Sequence, residues 1–350
     1  MDQAGVKDLI ASKKLEDRLR AVRLASRLPD AERSASLLLL LSDRANYVAA
    51  LAAEALGGYA DWQSAGEMRE RFLWISKDGP KRDPGCHIRS HLAYAFGRLE
   101  YTPAHDALYI GLRTVQIEFV AGVPFDTAAS LRANCAIAVA HLHDPDAVRE
   151  IAPLLFDDGS NNIQRIVNPV GIVKRILPEV RIKMAQALGA TGDPAAAIPL
   201  GIKLRFPEEE APEVLQECMQ SLVLLESEIA VDSISPYLSH PESILAAYAG
   251  LMIAQTGAPE APALLQSAIT RLSGDALRAV ILALSTLRSD EAREFLRKIA
   301  ADIRAPARMA LVEALQGSRE TADLECLRKM ADSDGNPGVR KAAAAALEVA

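Results

Sequence analysis

The stretch Val180-Arg-Ile-Lys-Met-Ala-Gln-Ala-Leu-Gly-Ala-Thr-Gly-Asp-Pro-Ala195 holds the end of one helix and the start of the next. Val-Arg, then small residues, then Leu-Gly describes a helix with a seam narrow enough for close packing. Gly-Asp-Pro ends it and opens another, because glycine accepts a positive φ and Asp-Pro suits a helix start. The pattern returns at Ile88-Arg89 with Ala93, Ala95 and Gly97, and at Leu131-Arg132 with Ala136, Ala138 and Asp144-Pro145. It returns again at Leu277-Arg278 with Asp290, and at Val339-Arg340. A helical hairpin repeated in this way buries its apolar face only against its neighbours. The expected fold is all-α, a right-handed α-solenoid of about ten helical hairpins, with residues 1–350 forming a single array.

Composition agrees with that architecture. Apolar residues make up 50% of the 350 and aromatics only 5%, so the core is expected to be Ala, Leu, Val and Ile. No long uninterrupted apolar run predicts a membrane span, and the start, Met1-Asp-Gln-Ala-Gly, runs into charged helix without the apolar centre of a signal peptide. Cys86, Cys135, Cys218 and Cys326 lie far apart without CxxC spacing, which predicts neither a zinc site nor a disulfide framework. A cytoplasmic location is the expectation. The net charge of −7 is uneven, with residues 160–205 locally basic inside an acidic chain. Nucleic-acid binders need an extended basic face, so this composition argues against nucleic acid as the partner.

Anchoring each unit on the residue before the arginine places units at Leu19, Val48, Ile88, Leu131, Val180, Val214, Ile244, Leu277, Ala307 and Val339. Most spacings are those of two helices and two tight turns. Three consecutive ones are longer, and the extra residues fall before the anchor helix, near 77–85, 113–127 and 157–178. Insertions at equivalent places in stacked repeats project from one edge and often line a binding face. The first and third are turn-rich, and the second contains Val115-Gln-Ile-Glu-Phe-Val120, an alternating run that reads as extended.

The pattern at 180–194 resembles HEAT repeats, particularly the short bacterial type named after phycobilisome chromophore lyases, and the likeness runs from about Leu19 to the end. That resemblance implies the solenoid fold. It leaves function open, because such repeats serve scaffolds, chromophore lyases, hydroxylases and base-excision enzymes. Asp83-Pro-Gly-Cys86 with Gln116, Glu118 and the run Asp126 to Arg132 also resembles a segment of bacterial HEAT-repeat proteins without an assigned activity. The hydroxylase type implies iron held by His-Glu pairs, and no histidine here precedes a glutamate. A chromophore lyase stays open as a reading.

Ten residues are candidates for binding: Cys86, Arg89, His91, Tyr94, Gln116, Glu118, Asp126, Arg132, Asn134 and Lys183. Arg89 and Arg132 share the position after the anchor with Arg20, Arg181, Arg278, Arg308 and Arg340. In similar repeats this arginine bonds a turn Asp or carbonyls of a neighbouring unit, and the planar guanidinium suits that task. Three and six residues after the anchor, side chains share one helix face. That column reads Leu51 and Glu54, His91 and Tyr94, Asn134 and Ile137, Lys183 and Gln186, with Arg98 and His141 following at ten. Such a mixture suits a polar or anionic group, and equally a solvated surface. Cys86 near a helix start is either a thiol with lowered pKa beside His87 and His91 or a small buried core residue. Gln116, Glu118 and Asp126 offer acid–base groups. No metal site, cofactor or catalytic constellation is recognisable.

The expected function is a non-enzymatic adaptor that binds a protein or peptide on the concave face, with the three insertions shaping specificity. The alternatives are a ligand-handling protein resembling chromophore lyases and, less favoured, nucleic-acid binding through Lys174, Arg175, Arg181, Lys183, Lys203 and Arg205. The last helix carries few charges for a capping element, which leaves self-association open.

Overall fold

Alanine-rich seams and turn aspartates set the helix boundaries. In the computed structural model, residues 3–59, 62–120, 122–156, 178–207 and 210–349 are described. Among them the chain divides into two units, Met1–Pro199 and Leu200–Ala350. The third insertion, 157–178, lies outside the described residues except for Pro178, and with it Lys174 and Arg175.

The first unit contains α1 (Gln3–Ala11), α2 (Leu15–Ala25), α3 (Asp30–Leu41), α4 (Asn46–Tyr59), α5 (Trp62–Ser76), the short α6 (Gly79–Arg82), α7 (His87–Arg98), α8 (His105–Leu112), α9 (Ala129–His141), α10 (Ala147–Leu155) and α11 (Glu179–Ala190). The second contains α13 (Pro212–Leu224), α14 (Ala230–Ile234), α15 (Ser243–Gln255), α16 (Ala261–Ile269), α17 (Gly274–Thr286), α18 (Asp290–Lys298), α19 (Ala305–Leu315), α20 (Thr321–Ser333) and α21 (Pro337–Val349), after α12 (Ala197–Arg205). Each unit is an all-α stack of hairpins of the solenoid type. Among the described residues the exception to helix is a two-stranded antiparallel hairpin, β1 (Ile117–Val120) with β2 (Val123–Asp126), pairing Ile117 with Asp126 and Phe119 with Pro124. The extended reading of the second insertion therefore resolves into a β-hairpin.

The anchor helices α4, α7, α9 and α11 pack side by side through their small residues. A Cβ added to Gly97 would lie 2.9 Å from Ala138 Cα, so α7 and α9 approach to backbone contact. One at Gly250 on α15 would lie 2.6 Å from Val280 Cγ2 on α17. Eight of the ten assigned anchors are fully or nearly fully buried: Val48, Ile88, Leu131 and Val180 in the first unit, and Val214, Leu277, Ala307 and Val339 in the second. Two assigned anchors are corrected. Ile244 is exposed and Leu245 is buried in its place, while at the first unit Leu19 is only half-buried and Arg18, not Arg20, turns inward.

The arginine after the anchor bonds the residue six before it. Arg89 pairs with Asp83, Arg132 with Asp126, Arg308 Nη1 donates to the Asp302 carbonyl, and Arg340 Nη1 to the Asp334 carbonyl. Arg18 Nη1 likewise donates to the Ser12 carbonyl. Two of these arginines also reach the turn of the following hairpin, Arg18 to Asp43 at 2.7 Å and Arg308 to Asp334 at 2.7 and 2.9 Å. The hydrogen bond from Arg308 holds the Asp334 carboxyl below its ordinary value. Each turn aspartate accepts from the amide two residues on, Asp43 from Ala45, Asp144 from Asp146 and Asp334 from Asn336, which fixes the turn. Arg278 departs from this scheme and pairs with Glu313 at the surface.

Candidate functional site

Segments 77–85 and 113–127 meet in a buried polar knot. Gly85 and Cys86 both have positive φ, at 77° and 57°, and this double left-handed turn reverses the chain between α6 and α7. It presents the Gly85 amide to the Glu118 carboxylate at 2.9 Å. Asp83, fully buried, accepts from the Ile88 amide at 2.9 Å, the Arg89 amide at 3.0 Å and Arg89 Nε at 3.1 Å. Arg89 Nη2 donates to Gln116 Oε1 at 2.6 Å and touches Cys86 Sγ at 3.2 Å. Gln116 Nε2 completes the circuit, donating to the Asp83 carbonyl at 3.0 Å and to Glu118 Oε1 at 2.8 Å. Gly79 leaves room for the guanidinium, since a Cβ there would lie 2.8 Å from Arg89 Nη2. One step along, Asp126 accepts from the Gln116 and Ala128 amides and pairs with Arg132 at 2.7 Å. Arg132 also donates to the Thr114 carbonyl at 2.9 Å.

This knot brings Cys86, Arg89, Gln116 and Glu118 together, with Asp126 and Arg132 adjoining, but it directs their polar atoms at one another. Cys86 is fully buried, and burial pushes its thiol up to about 12, opposite to the activated reading; Arg89 opposes that shift only in part. A thiol in that state is not a nucleophile near neutral pH. Arg89 and Arg132 are likewise consumed by structure.

The open surface lies elsewhere on the first unit, on the outward faces of α2, α4, α7 and α9. A cleft of about 380 Å³ is lined by Asn46, Tyr47, Leu51, Glu54, His87 and His91 among others. It shares Tyr47, Leu51, Glu54 and His91 with a trough of about 890 Å³ that continues past Tyr59, Tyr94, Arg98 and Asn134. The polar residues are held in place: Asn134 Nδ2 donates to the Ser90 carbonyl and hydroxyl, and Arg98 Nη1 to the Gly57 and Gly58 carbonyls, each at 3.1 Å. His91 is half-buried; desolvation lowers its pKa, with neighbouring His87 adding to the shift and Glu54 and Asp83 opposing it. It is therefore a neutral donor and acceptor near pH 7.

Of the ten sequence candidates, His91, Tyr94 and Asn134 line the trough and six enter or adjoin the knot, while Lys183 sits apart and donates to Gln186 Oε1 at 2.8 Å. Tyr47 and His87 were absent from the candidates. Both stand one residue before the anchor, so the face begins one helical turn before the column at three. Of the basic stretch, Lys203 is taken up by Glu210 at 2.6 Å. Among the described residues no group of three or more His, Cys, Asp or Glu is placed to hold a metal ion, and no helix is long and apolar enough to cross a membrane.

The family model of HEAT repeats matches residues 261–348. No curated protein matches the chain. Among solved structures, the complex of CpcE and CpcF of phycocyanin lyase from Nostoc sp. PCC7120 is similar at 18% identity, over 90% of this chain and 94% of that one, with a TM-score of 0.36. Human deoxyhypusine hydroxylase in complex with glycerol is similar at 16% identity, over 83% and 95%, with a TM-score of 0.32. HEAT repeats are thus matched over residues 261–348, and both units are built of all-α hairpin stacks.

Proposed function

We propose that the protein is a non-enzymatic adaptor that holds an extended protein or peptide segment in the Tyr47–Tyr94 trough of its first unit. The observation that carries this reading is a continuous open surface, contributed by successive anchor helices, lined by tyrosines and by the polar side chains Arg98 and Asn134, which are already fixed by hydrogen bonds. Tyr47, Tyr59 and Tyr94 are substantially exposed, and tyrosines offer large contact area at small entropic cost. Segments 77–85 and 113–127 shape specificity from the edge, braced by the knot. A cytoplasmic setting accords with this role.

The test is selection of peptides from a displayed random library, followed by calorimetry against a Tyr47→Ala/Tyr94→Ala double variant. Loss of two contact tyrosines is expected to weaken binding at least tenfold, about 1.4 kcal/mol, without moving the melting temperature. Peptides that bind both proteins equally well place the partner surface elsewhere and sink the proposal.

A second reading, handling of a small ligand, draws on the size of the cleft, about 380 Å³ with two imidazoles on its wall. It makes no use of Cys86. A Cys86→Ser protein that loses ligand retention while keeping its fold would contradict that version.

A further inference from the structure

Trp74, on α5 and partly exposed, carries two guanidinium groups on its indole. The Cζ of Arg71, one turn earlier on the same helix, lies 4.3 Å from the ring centroid. The Cζ of Arg82, from the last position of α6, lies 4.0 Å from it, and Arg82 Nη1 donates to the Trp74 carbonyl at 2.5 Å. Neither arginine forms an ion pair among the described residues, in a chain whose other inward arginines nearly all do. The neighbouring carboxylates are already engaged: Asp83 with Arg89 and the α7 amides, Asp78 with Lys81 at 3.5 Å, Glu70 with Arg69 at 2.8 Å. Arg71 Nε is shielded from solvent and has no hydrogen-bond partner. Burial and then the charge of Arg82 push the Arg71 pKa down, and the charge of Asp83 opposes them only in part.

We propose that Arg71 and Arg82, stacked on Trp74, form a binding site for an oxyanion of the phosphate or carboxylate type. A guanidinium lying on an aromatic face still directs its in-plane N–H groups outward, those of Arg82 apart from the one given to the Trp74 carbonyl, and such N–H groups are matched to the oxygens of an anion. Stacking fixes both side chains beforehand, so little rotamer freedom is lost on binding. An anion bound at these edges offsets the charge of both guanidiniums. The site lies on α5 and α6, apart from the trough, and does not depend on the adaptor reading.

Trp62 and Trp74 are the two tryptophans of the chain, so Trp62→Phe leaves Trp74 as sole reporter. Its emission is followed while inorganic phosphate or acetate is added at constant ionic strength, with chloride as the control. A saturable change with phosphate, acetate or both, shifted at least tenfold to higher concentration by Arg71→Gln or Arg82→Gln, is expected. Saturation by phosphate alone identifies a phosphoryl ligand, and by acetate alone a carboxylate. A response no different from chloride, or one that both variants retain, overturns the proposal. Should Trp62→Phe unfold, the indole N–H resonance of Trp74 in the unaltered protein gives the same reading.

Discussion

Replacing Arg89 by methionine measures what the buried knot contributes. The substitution keeps most of the aliphatic volume, so the loss is dominated by polar terms rather than by a cavity. It removes the 3.1 Å ion pair to Asp83 and the 2.6 Å hydrogen bond to Gln116. Asp83 keeps its two amide donors but remains a fully buried carboxylate without a cation. Gln116 Oε1 loses its donor outright. Removing one partner of a buried pair costs about 3–5 kcal/mol, because the remaining charge stays desolvated. For a cooperative unit of this size that lowers the melting temperature by roughly 10 °C. Urea unfolding followed by far-ultraviolet circular dichroism, with a double-mutant cycle against Gln116→Leu, gives both the loss and the coupling. Arg278→Met serves as the reference, since that surface pair with Glu313 is solvent-screened and its removal should leave the midpoint unchanged. A loss below about 1 kcal/mol for Arg89→Met, no greater than a surface pair gives, refutes the idea that this arginine braces the two segments.

Three further outcomes follow from local geometry. Gly97→Ala gains about 1 kcal/mol of helix propensity. It nonetheless destabilises, by about 1–2 kcal/mol net, because the new methyl meets Ala138 backbone at 2.9 Å; Gly58→Ala, with nothing within 4 Å, should be neutral or stabilising in the same melting assay. Glu226 occupies the left-handed helix-end position, φ 49°, that Gly192 and Gly257 fill elsewhere, so Glu226→Gly should raise stability by about 0.5–1 kcal/mol in denaturant titrations. The lowered pKa of His91 means that the unfolded chain binds this proton more readily than the folded one. Stability is therefore full above the ordinary value of 6.5 and falls as pH drops from there toward the folded pKa; His91→Gln should flatten that part of a stability–pH profile.

The repeat was legible because its cause is local: small residues at fixed helix positions, a helix-end glycine and a turn aspartate are each visible in a single hairpin. The register failed at Leu19 and Ile244 for a physical reason. At Ile244 a second apolar residue, Leu245, stands next to it, and at Leu19 two arginines, Arg18 and Arg20, flank it; only burial chooses between the members of each pair. The surface column was nearly legible. His91, Tyr94 and Asn134 follow from helical spacing, and counting one turn back would have added Tyr47 and His87. The knot was not, because proximity of 83–89 to 116–118 depends on two left-handed residues at Gly85 and Cys86 that send the chain back across α7. Cysteine at such a φ carries no sequence signature. Of the two readings of Cys86, the small buried core residue is the one found, since desolvation outweighs the helix start in a fully buried thiol.

The arginine bonds also determine which pieces of this chain can be cut and rejoined. Where the arginine of one hairpin simply meets the turn aspartate of the next, as Arg308 meets Asp334, a hairpin lifted out whole leaves behind the same donor and the same acceptor, so the joint is generic. Between 77 and 132 the joint is particular: the two consecutive hairpins meet through the bonds from Arg89 to Gln116, from Gln116 to the Asp83 carbonyl and from the Gly85 amide to Glu118, which no other hairpin among the described residues supplies. The smallest cassette that can be grafted into another array from this region is thus the double hairpin, transplanted with both of its segments or not at all.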